Sequence, residues 1–154
     1  MTTANVVFAG PVEAVKPLMN EAKIKAGETL VGGNLVTLDA GEWAAAAADV
    51  GGNVHVIDMD TVGQKAVTAA LTAGQSHPAF IPQVGYSYNI ILAASQTIAK
   101  GASLVSNGGG TVKADTGLGD VEPLFTAEEA VTTGAGVTAR IRARYNPTGV
   151  NKLV

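Results

Sequence analysis

The sequence lacks cysteine altogether, which excludes disulfides and thiolate chemistry. Charged residues are also few: they make up 15% of the chain and leave a net charge of −3, which argues against a general nucleic-acid or anionic-membrane binder. No apolar run approaches the roughly 18 residues of a membrane span, and the N-terminus lacks the basic and apolar segments of a signal peptide. We therefore expect a protein that is made in the cytoplasm, is kept there or released by lysis, and has no nucleic-acid or membrane partner.

Large side chains are scarce as well. The 154 residues suffice for one domain and 47% of them are apolar, but the chain has only three Phe, three Tyr and one Trp. A core built mostly from Ala and Val buries less area per residue, and burial stabilises by about 25 cal/mol per Å². We therefore expect additional burial between subunits.

Residues that could carry chemistry are sparse. His55 and His77 are the only side chains suited to proton transfer at neutral pH, and their spacing does not match a zinc site, so we interpret both as structural or surface residues. No Gly-Lys-Ser/Thr follows the glycines at 108–110, so they are turn formers and not a phosphate loop. Residues 115–120 lack the EF-hand pattern, which favours an ordinary turn over a calcium site. We predict no catalytic residue, metal or cofactor, and hence no enzyme.

The strongest periodic signal lies near the C-terminus. Over residues 137–145, apolar side chains alternate with Thr138, Arg140, Arg142 and Arg144, which predicts an amphipathic strand with three guanidinium groups on one face. We expect these arginines to pair with carboxylates across a subunit boundary or at a partner surface. The alternative is a solvated face.

Short β-type runs separated by glycine turns dominate the rest of the chain. The clearest are residues 35–38, 54–59, 85–93, 103–105 and 111–113. With no βαβ spacing, they predict a mainly β, single compact domain: a small barrel or sandwich with hairpins and one or two short helices. A spacing Ile24-x-x-Gly27-x-x-Leu30-Val31 recurs as Ile98-x-x-Gly101-x-x-Leu104-Val105, and both copies describe a hairpin-rich unit.

Four segments are harder to interpret. Residues 42–49 are rich in Ala and predict one or two helical turns, with Trp43 as an anchor in the core or at a subunit interface. Residues 61–73 fit a strand or a helix, and recurrent Thr favours the strand. Two prolines make residues 75–82 a loop or an edge segment. Residues 126–131 fit one helical turn or a strand.

The N-terminal residues 1–22 read as an extended arm preceding a β-rich domain over residues 23–154, because Gly10-Pro11 and Pro17 prevent a long helix. The apolar side chains of Val6, Val7, Phe8 and Val12 need partners. The arm either packs on its own domain or docks on another chain.

This order of features resembles the small head-decoration, or capsid cement, proteins of tailed bacteriophages, the functional class of the lambda-type decoration proteins. The matching features are the arm, the two Ile-x-x-Gly-x-x-Leu-Val units, the segment from Glu122-Pro123 to Ala127-x-Glu129-Ala130-Val131, and the closing arginine strand.

The resemblance implies a β-rich homotrimer on the outside of the expanded head, made in the host cytoplasm, that clamps neighbouring subunits of the major capsid protein. Val6, Val7, Phe8 and Val12 would contact the capsid. Arg140, Arg142, Arg144 and Trp43 would lie at a subunit interface. The alternatives are a receptor- or carbohydrate-binding module of a virion fibre, which would need exposed aromatic residues, and an enzyme.

Overall fold

A computed structural model of the chain describes residues 7, 18–48, 50–51, 53–59, 66–118 and 122–147, which contain twelve β-strands and no helix. The strands are β1 Met19–Ile24, β2 Leu35–Asp39, β3 Glu42–Ala45, β4 His55–Ile57, β5 Ser76–Phe80, β6 Ser87–Leu92, β7 Thr97–Ile98, β8 Ser103–Gly108, β9 Thr111–Ala114, β10 Phe125–Ala127, β11 Val131–Thr132 and β12 Ala139–Tyr145. The predicted mainly β fold is confirmed. None of the described residues belongs to a helix that could cross a membrane.

Ten of these strands close into two five-stranded barrels. The first barrel has the order β1-β3-β2-β4-β5, and the second has the order β10-β12-β6-β9-β8. The remaining strands, β7 and β11, pair with each other in a small two-stranded sheet. Closure leaves neither barrel with an unpaired edge that runs its full length.

The two barrels have the same topology. Counted in chain order, the five strands are β1 to β5 in the first barrel and β6, β8, β9, β10 and β12 in the second. In each barrel the first of these strands runs parallel to the third. The other four pairings are antiparallel: third with second, second with fourth, fourth with fifth, and fifth with first. The β7–β11 pair has its own counterpart in the first barrel, an antiparallel bridge between Val31 and Ala70 that links the same two connections. The chain therefore contains one architectural unit twice.

The register of the strands is repeated as well as their order. Ile24 lies opposite Trp43 where Leu92 lies opposite Val112. Beyond the ladders the same hydrogen bonds recur: Lys25 N–H donates to Trp43 O over 3.0 Å, and Ala93 N–H donates to Val112 O over 2.9 Å. This agreement assigns a counterpart to each paired residue. The counterparts, first barrel before second, include Glu21/Asn89, Lys23/Ile91, Leu35/Ser103, Leu38/Ser106, Asp39/Gly108, Gly41/Gly110, Trp43/Val112, His55/Phe125, Val56/Thr126, Ser76/Arg140 and Phe80/Arg144.

The interior of the first barrel is a separate apolar cluster centred on Trp43, which is fully buried. Its Nε1–H donates to the carbonyl of His77 over 2.8 Å, so the polar edge of the indole ring is satisfied inside the barrel. The members of the cluster are Ile24, Leu30, Val36, Trp43, Ile57, Leu71 and Ala79.

A second, larger cluster fills the second barrel and continues across the contact between the barrels. From the first barrel it includes Leu35, Val56 and Phe80, and the ring of Phe80 lies 6.0 Å from that of Tyr88 in the second barrel. Because one apolar cluster spans both barrels, they form a single compact unit.

Strand β6 is buried along its whole length, because one face lines the second barrel and the other faces the first. Within β6 only Leu92 is paired with β9. The backbone N–H groups earlier in β6 that point to the same side have other acceptors. Asn89 N–H donates to the carbonyl of Val7 over 2.6 Å, and Ile91 N–H donates to that of Gly33 over 3.3 Å. Val7, at 1% exposed, is thus part of the fold.

Several predicted strands are confirmed. The runs at 103–105 and 111–113 appear as β8 and β9, those over 54–59 and 85–93 as β4 and β6, and the arginine strand as β12. Of the ambiguous residues 126–131, Thr126 and Ala127 end β10 and Val131 begins β11, while residues 128–130 between them belong to neither strand. None of the six is helical, so the strand alternative holds only at the two ends.

Several predicted elements are wrong. Residues 42–45 form β3 and not a helix, because pairing with β1 and β2 on both sides outweighs the intrinsic preference of Ala. Of residues 61–73, the described part, 66–73, is turn and bend with one bridge at Ala70. The arm also ends earlier than residue 22, since β1 begins at Met19.

The prolines in 75–82 do not exclude a central strand, contrary to expectation. Pro78 lies in β5, opposite Glu21 of β1, and its carbonyl accepts the N–H of Asp58 over 3.0 Å. In a strand the N–H and C=O of one residue point to the same side, so the missing donor of Pro78 faces the end of β4, where that ladder stops.

Candidate functional site

The arginine strand has the predicted alternation. Ile141, Ala143 and Tyr145 are buried inside the second barrel, while Arg142 and Arg144 project outward, with 51% and 56% of their side chains exposed. The three arginines nevertheless divide between two environments.

Arg142 and Arg144 share one carboxylate. Arg144 donates from Nε and Nη2 to Oε1 of Glu128, over 3.2 and 2.9 Å, and the Nε of Arg142 lies 3.4 Å from Oε2. The neighbouring Glu129 accepts the backbone N–H of Arg142 over 2.8 Å. Arg142 and Arg144 therefore meet carboxylates of their own chain, whereas the prediction was pairing across a subunit boundary or at a partner surface.

This pairing sets the ionisation of Glu128. Burial alone would raise the pKa of Glu128, but hydrogen bonds from Ser87 and Arg144 and the positive charges of Arg144 and Arg142 outweigh it and lower the pKa. Glu128 stays ionised at neutral pH, and one carboxylate faces two guanidinium groups.

Arg140 lies at the contact between the barrels. Its Nη2 donates to the carbonyl of Val67 over 2.7 Å, and its Nη1 is buried without a hydrogen-bond partner in the described structure. A Cβ on Gly33 would lie 2.6 Å from that Nη1, so only glycine leaves room for the guanidinium group. Burial lowers the pKa of Arg140, which nonetheless stays charged.

The exposed arginines line an open concavity of about 510 Å³ on the outside of the second barrel. Its floor is formed by β6, β10 and β12, and Lys100 and Gly101 form one rim. The lining residues are Ser87, Lys100, Gly101, Thr126, Ala127, Glu128, Arg142, Arg144 and Asn146. Three cations and one carboxylate make it a surface suited to an acidic partner.

The glycines at 108–110 form the tip of a hairpin that contacts the first barrel. Gly110 donates to the carbonyl of Ala46 over 3.2 Å, and its own carbonyl accepts the N–H of Leu35 over 2.8 Å. A Cβ on Gly110 would lie 2.8 Å from Leu35 O. The tract thus allows close approach of the two barrels, in agreement with its interpretation as a turn.

The other predicted site residues have different positions. Trp43 is a core residue of the first barrel and exposes no surface, so it cannot contact another subunit in this structure. Val7 is buried within its own chain, which is the first of the two alternatives for the arm. Val6, Phe8 and Val12 lie outside the described residues.

The histidines are buried, in agreement with a structural role. The Nε2 of His55 lies 3.1 Å from Nδ2 of Asn20, and its Nδ1 is buried without a hydrogen-bond partner among the described residues. Burial lowers the pKa of His55. The described residues contain no group of three metal-ligating side chains, and Asp115 closes an ordinary turn by accepting the N–H of Gly117 over 2.8 Å.

Two charged contributors to the concavity were not predicted, Glu128 and Lys100. Glu128 follows Thr126 in a segment that reads equally as helix or strand, and only the pairing of β10 with β12 places it beside the arginines. Lys100 lies in the turn after β7. No spacing in the sequence connects either residue with residues 142–144.

Comparisons with known proteins identify a similar fold. No protein-family model matches the chain, and no curated protein matches it. The crystal structure of the head fiber gp8.5 N base in bacteriophage phi29 superposes with a TM-score of 0.55 and 14% sequence identity, covering 84% of this chain and 95% of that chain. The likeness concerns the fold.

Proposed function

We propose that this protein is a head-associated structural protein of a tailed bacteriophage, and that it decorates the outside of the expanded head as a homotrimer. The observation that carries the proposal is the fold shared with the phi29 head fiber base over 95% of that structure. The resemblance of the sequence to head-decoration proteins points in the same direction independently.

The proposed mechanism is binding without catalysis. A protein that binds the expanded, assembled capsid better than the unexpanded one stabilises the expanded state by mass action. The basic concavity at Arg142 and Arg144 supplies a charged contact surface. The partner we propose is the major capsid protein, after synthesis of this chain in the host cytoplasm.

The alternative of a carbohydrate-binding module finds little support among the described aromatic residues. Trp43, Phe80, Tyr88, Phe125 and Tyr145 are all buried, and Tyr86 is half-buried. Stacking against sugars requires exposed rings in a groove.

The direct test is co-sedimentation of the purified protein with expanded heads that lack it, with unexpanded heads as the control. We expect saturable binding to expanded heads and increased resistance of those heads to heat. Absence of binding to both kinds of head would overturn the proposal.

The arm is tested separately, with Val7 retained because its side chain is buried in the chain's own core. In the double variant Val6→Ser/Phe8→Ser we expect weaker capsid binding by roughly tenfold or more, a loss of about 1.4 kcal/mol. Val84→Ser, at a residue 69% exposed, is the matched control. Unchanged occupancy in the double variant would exclude the arm as the capsid contact.

A further inference from the structure

The contact between the two barrels has two sides, each built from one barrel. The first barrel contributes what we call the docking face: Gly33, Leu35, Ala46, Ala47, Val56 and Phe80. The second contributes the hairpin face: Asn89, Ile91, Ser106, Gly108 to Gly110 and Arg140. The contact is heterologous, because the two faces are different parts of the barrel.

Each barrel therefore has one face that makes no contact with the other barrel of the same chain. On the second barrel this is the counterpart of the docking face, and on the first barrel it is the counterpart of the hairpin face. On the second barrel, the counterpart of the docking face includes Ser103, Thr126 and Arg144, in place of Leu35, Val56 and Phe80. It borders the basic concavity. On the first barrel, the counterpart of the hairpin face includes Glu21, Lys23, Leu38 and the turn Asp39–Gly41, and all of these residues are exposed.

Two exposed leucines mark these unused faces. Leu38, 48% exposed, occupies the position of Ser106, which is fully buried and donates from Oγ to the carbonyl of Ala47 over 2.6 Å. Ala46 N–H donates to Leu35 O as Asp115 N–H donates to Ser103 O, so the next residues, Ala47 and Thr116, are counterparts. Thr116 lies two residues before Leu118, which is 90% exposed. A contact that repeated the internal one would bring the Leu38 region against the Thr116–Leu118 region.

The two unused faces would bring one pair of opposite charges together. Around the second barrel's face lie Lys100, Arg142 and Arg144, balanced within the concavity only by Glu128. The first barrel's face carries Glu21 and Asp39 together with Lys23, and Asp39 pairs with Lys25. In the internal contact, Phe80 lies against the start of β6 at Tyr88. Its counterpart Arg144 would lie against the start of β1 in another copy, beside Glu21.

We propose that copies of this chain associate head to tail. The hairpin-face counterpart on the first barrel of one copy docks on the docking-face counterpart on the second barrel of the next copy. The proposal rests on the homotrimer of the proposed function and names its interface, since a heterologous contact closes into a ring when its rotation permits. The interface is more polar than the internal one, so its association depends on salt.

The test is the mass of the full-length protein in solution, measured by light scattering over a concentration series at low and high salt. We expect an oligomer at low salt that dissociates as salt rises. Arg144→Glu and Glu21→Lys should each weaken association by roughly tenfold, because like charges then face each other. The double variant Glu21→Lys/Arg144→Glu restores the opposite charges and should recover association.

Controls separate this interface from folding and from capsid binding. Glu122→Lys makes the same change of charge away from both faces and should leave association intact, and Leu38→Asp should weaken it without touching the arginines. Thermal melts report whether each variant is folded. A wild-type monomer at all concentrations would overturn the proposal, with head binding still open to measurement. An oligomer that neither single reversal weakens would overturn the interface and leave the homotrimer standing.

Discussion

The two barrels share their strand order and register but differ in what fills them. The position that holds Trp43 in the first barrel holds Val112 in the second, and the position of His55 holds Phe125. All four side chains are buried. One backbone frame thus accepts an indole ring or an isopropyl group at the same point, provided that neighbouring side chains supply the missing volume.

The outer surfaces differ in a more informative way. The first barrel contributes Leu35, Val56 and Phe80 to the contact between the barrels. The second barrel has Ser103, Thr126 and Arg144 at the same three positions, on a face that no other part of the chain covers. Apolar residues occupy this face only where a partner within the chain covers it. A polar outer face on terminal units limits uncontrolled stacking of repeats, and here it leaves a charged surface for other chains.

The largest expected effect is on the first barrel's core. Trp43→Ala removes a fully buried indole that donates to the carbonyl of His77, and we expect a loss of about 3–5 kcal/mol in the free energy of unfolding. Val112→Ala at the counterpart position should cost about 2 kcal/mol, from two buried methyl groups. Chemical denaturation measures both. Equal losses would contradict the assignment of Trp43 as the centre of the first core.

The contact between the barrels is tested by a matched pair of glycines. Gly41 and Gly110 occupy the same turn position with φ of 83° and 73°, so alanine costs about 1–2 kcal/mol at either. At Gly110 the new Cβ would also lie 2.8 Å from Leu35 O, whereas at Gly41 nothing lies within 4 Å. We expect Gly110→Ala to lose a further 1–3 kcal/mol or so.

Equal destabilisation by the two glycine substitutions would show that the hairpin tip does not press against the first barrel. Thermal unfolding of the two variants side by side provides the comparison. Gly33 and Gly101 offer a second matched pair, since a Cβ at Gly33 would lie 2.7 Å from Asn89 O and one at Gly101 would meet nothing within 4 Å.

Acid should weaken the first barrel through His55. Because burial lowers the pKa of His55, the unfolded chain binds the proton more readily, so stability is complete above the ordinary histidine pKa of about 6.5 and falls as the pH drops below it. The counterpart Phe125 cannot titrate. Melting temperatures between pH 7.5 and pH 5 should fall in the wild type and fall less in His55→Phe; parallel curves would contradict this assignment.

The smallest effects concern two counterpart carboxylates. Asp58 N–H donates to the carbonyl of Pro78 as Glu128 N–H donates to that of Arg142. Burial raises the pKa of Asp58, whereas Glu128 has a lowered pKa because its contacts with Ser87, Arg144 and Arg142 outweigh burial. At neutral pH we therefore expect Glu128→Gln to lose up to about 1 kcal/mol and Asp58→Asn to be neutral or stabilising.

The loss in Glu128→Gln should disappear as the pH falls through the lowered pKa of Glu128, since a depressed carboxylate pKa stabilises only above it. Denaturant titrations at pH 7 and at pH 3 measure the difference. Equal and same-sign effects of Glu128→Gln and Asp58→Asn at pH 7 would contradict the two environments.

Local signals predicted the local structure. The Gly109–Gly110 turn and the alternation over 139–145 each specify a hairpin or a strand by themselves, through backbone freedom and period-2 burial. Residues 42–48 show no such alternation, because the small methyl side chain of Ala is equally acceptable on the buried and the exposed face of a strand. Their conformation is decided by pairing with β1 and β2, which the sequence does not display.

The internal repeat was visible in the sequence but in a different alignment. Gly27 and Gly101 do adopt the same turn, with φ of 86° and 88°. In the fold, however, Ile24 corresponds to Leu92 and not to Ile98, because strand pairing aligns β1 with β6, whereas Ile98 lies in the connection that follows β6. The two barrels share pairing geometry with little shared residue identity, so sequence alone could not separate one domain of twelve strands from two equivalent barrels.

The candidate site was half predictable for the same reason. The arginine strand was evident from its alternation. The carboxylate that joins Arg142 and Arg144, however, belongs to Glu128, directly after β10. Arg140 differs from both because its guanidinium group lies against Gly33 of the other barrel. Such contacts depend on strand order and on the docking of the barrels.

The most direct test of the functional account is a cryo-electron microscopy difference map between expanded heads with and without the protein. The account predicts additional density on the outer surface, at sites that bridge neighbouring major capsid subunits, into which the two-barrel unit fits with its basic concavity at a subunit contact. Decorated and undecorated heads with identical outer surfaces would contradict it.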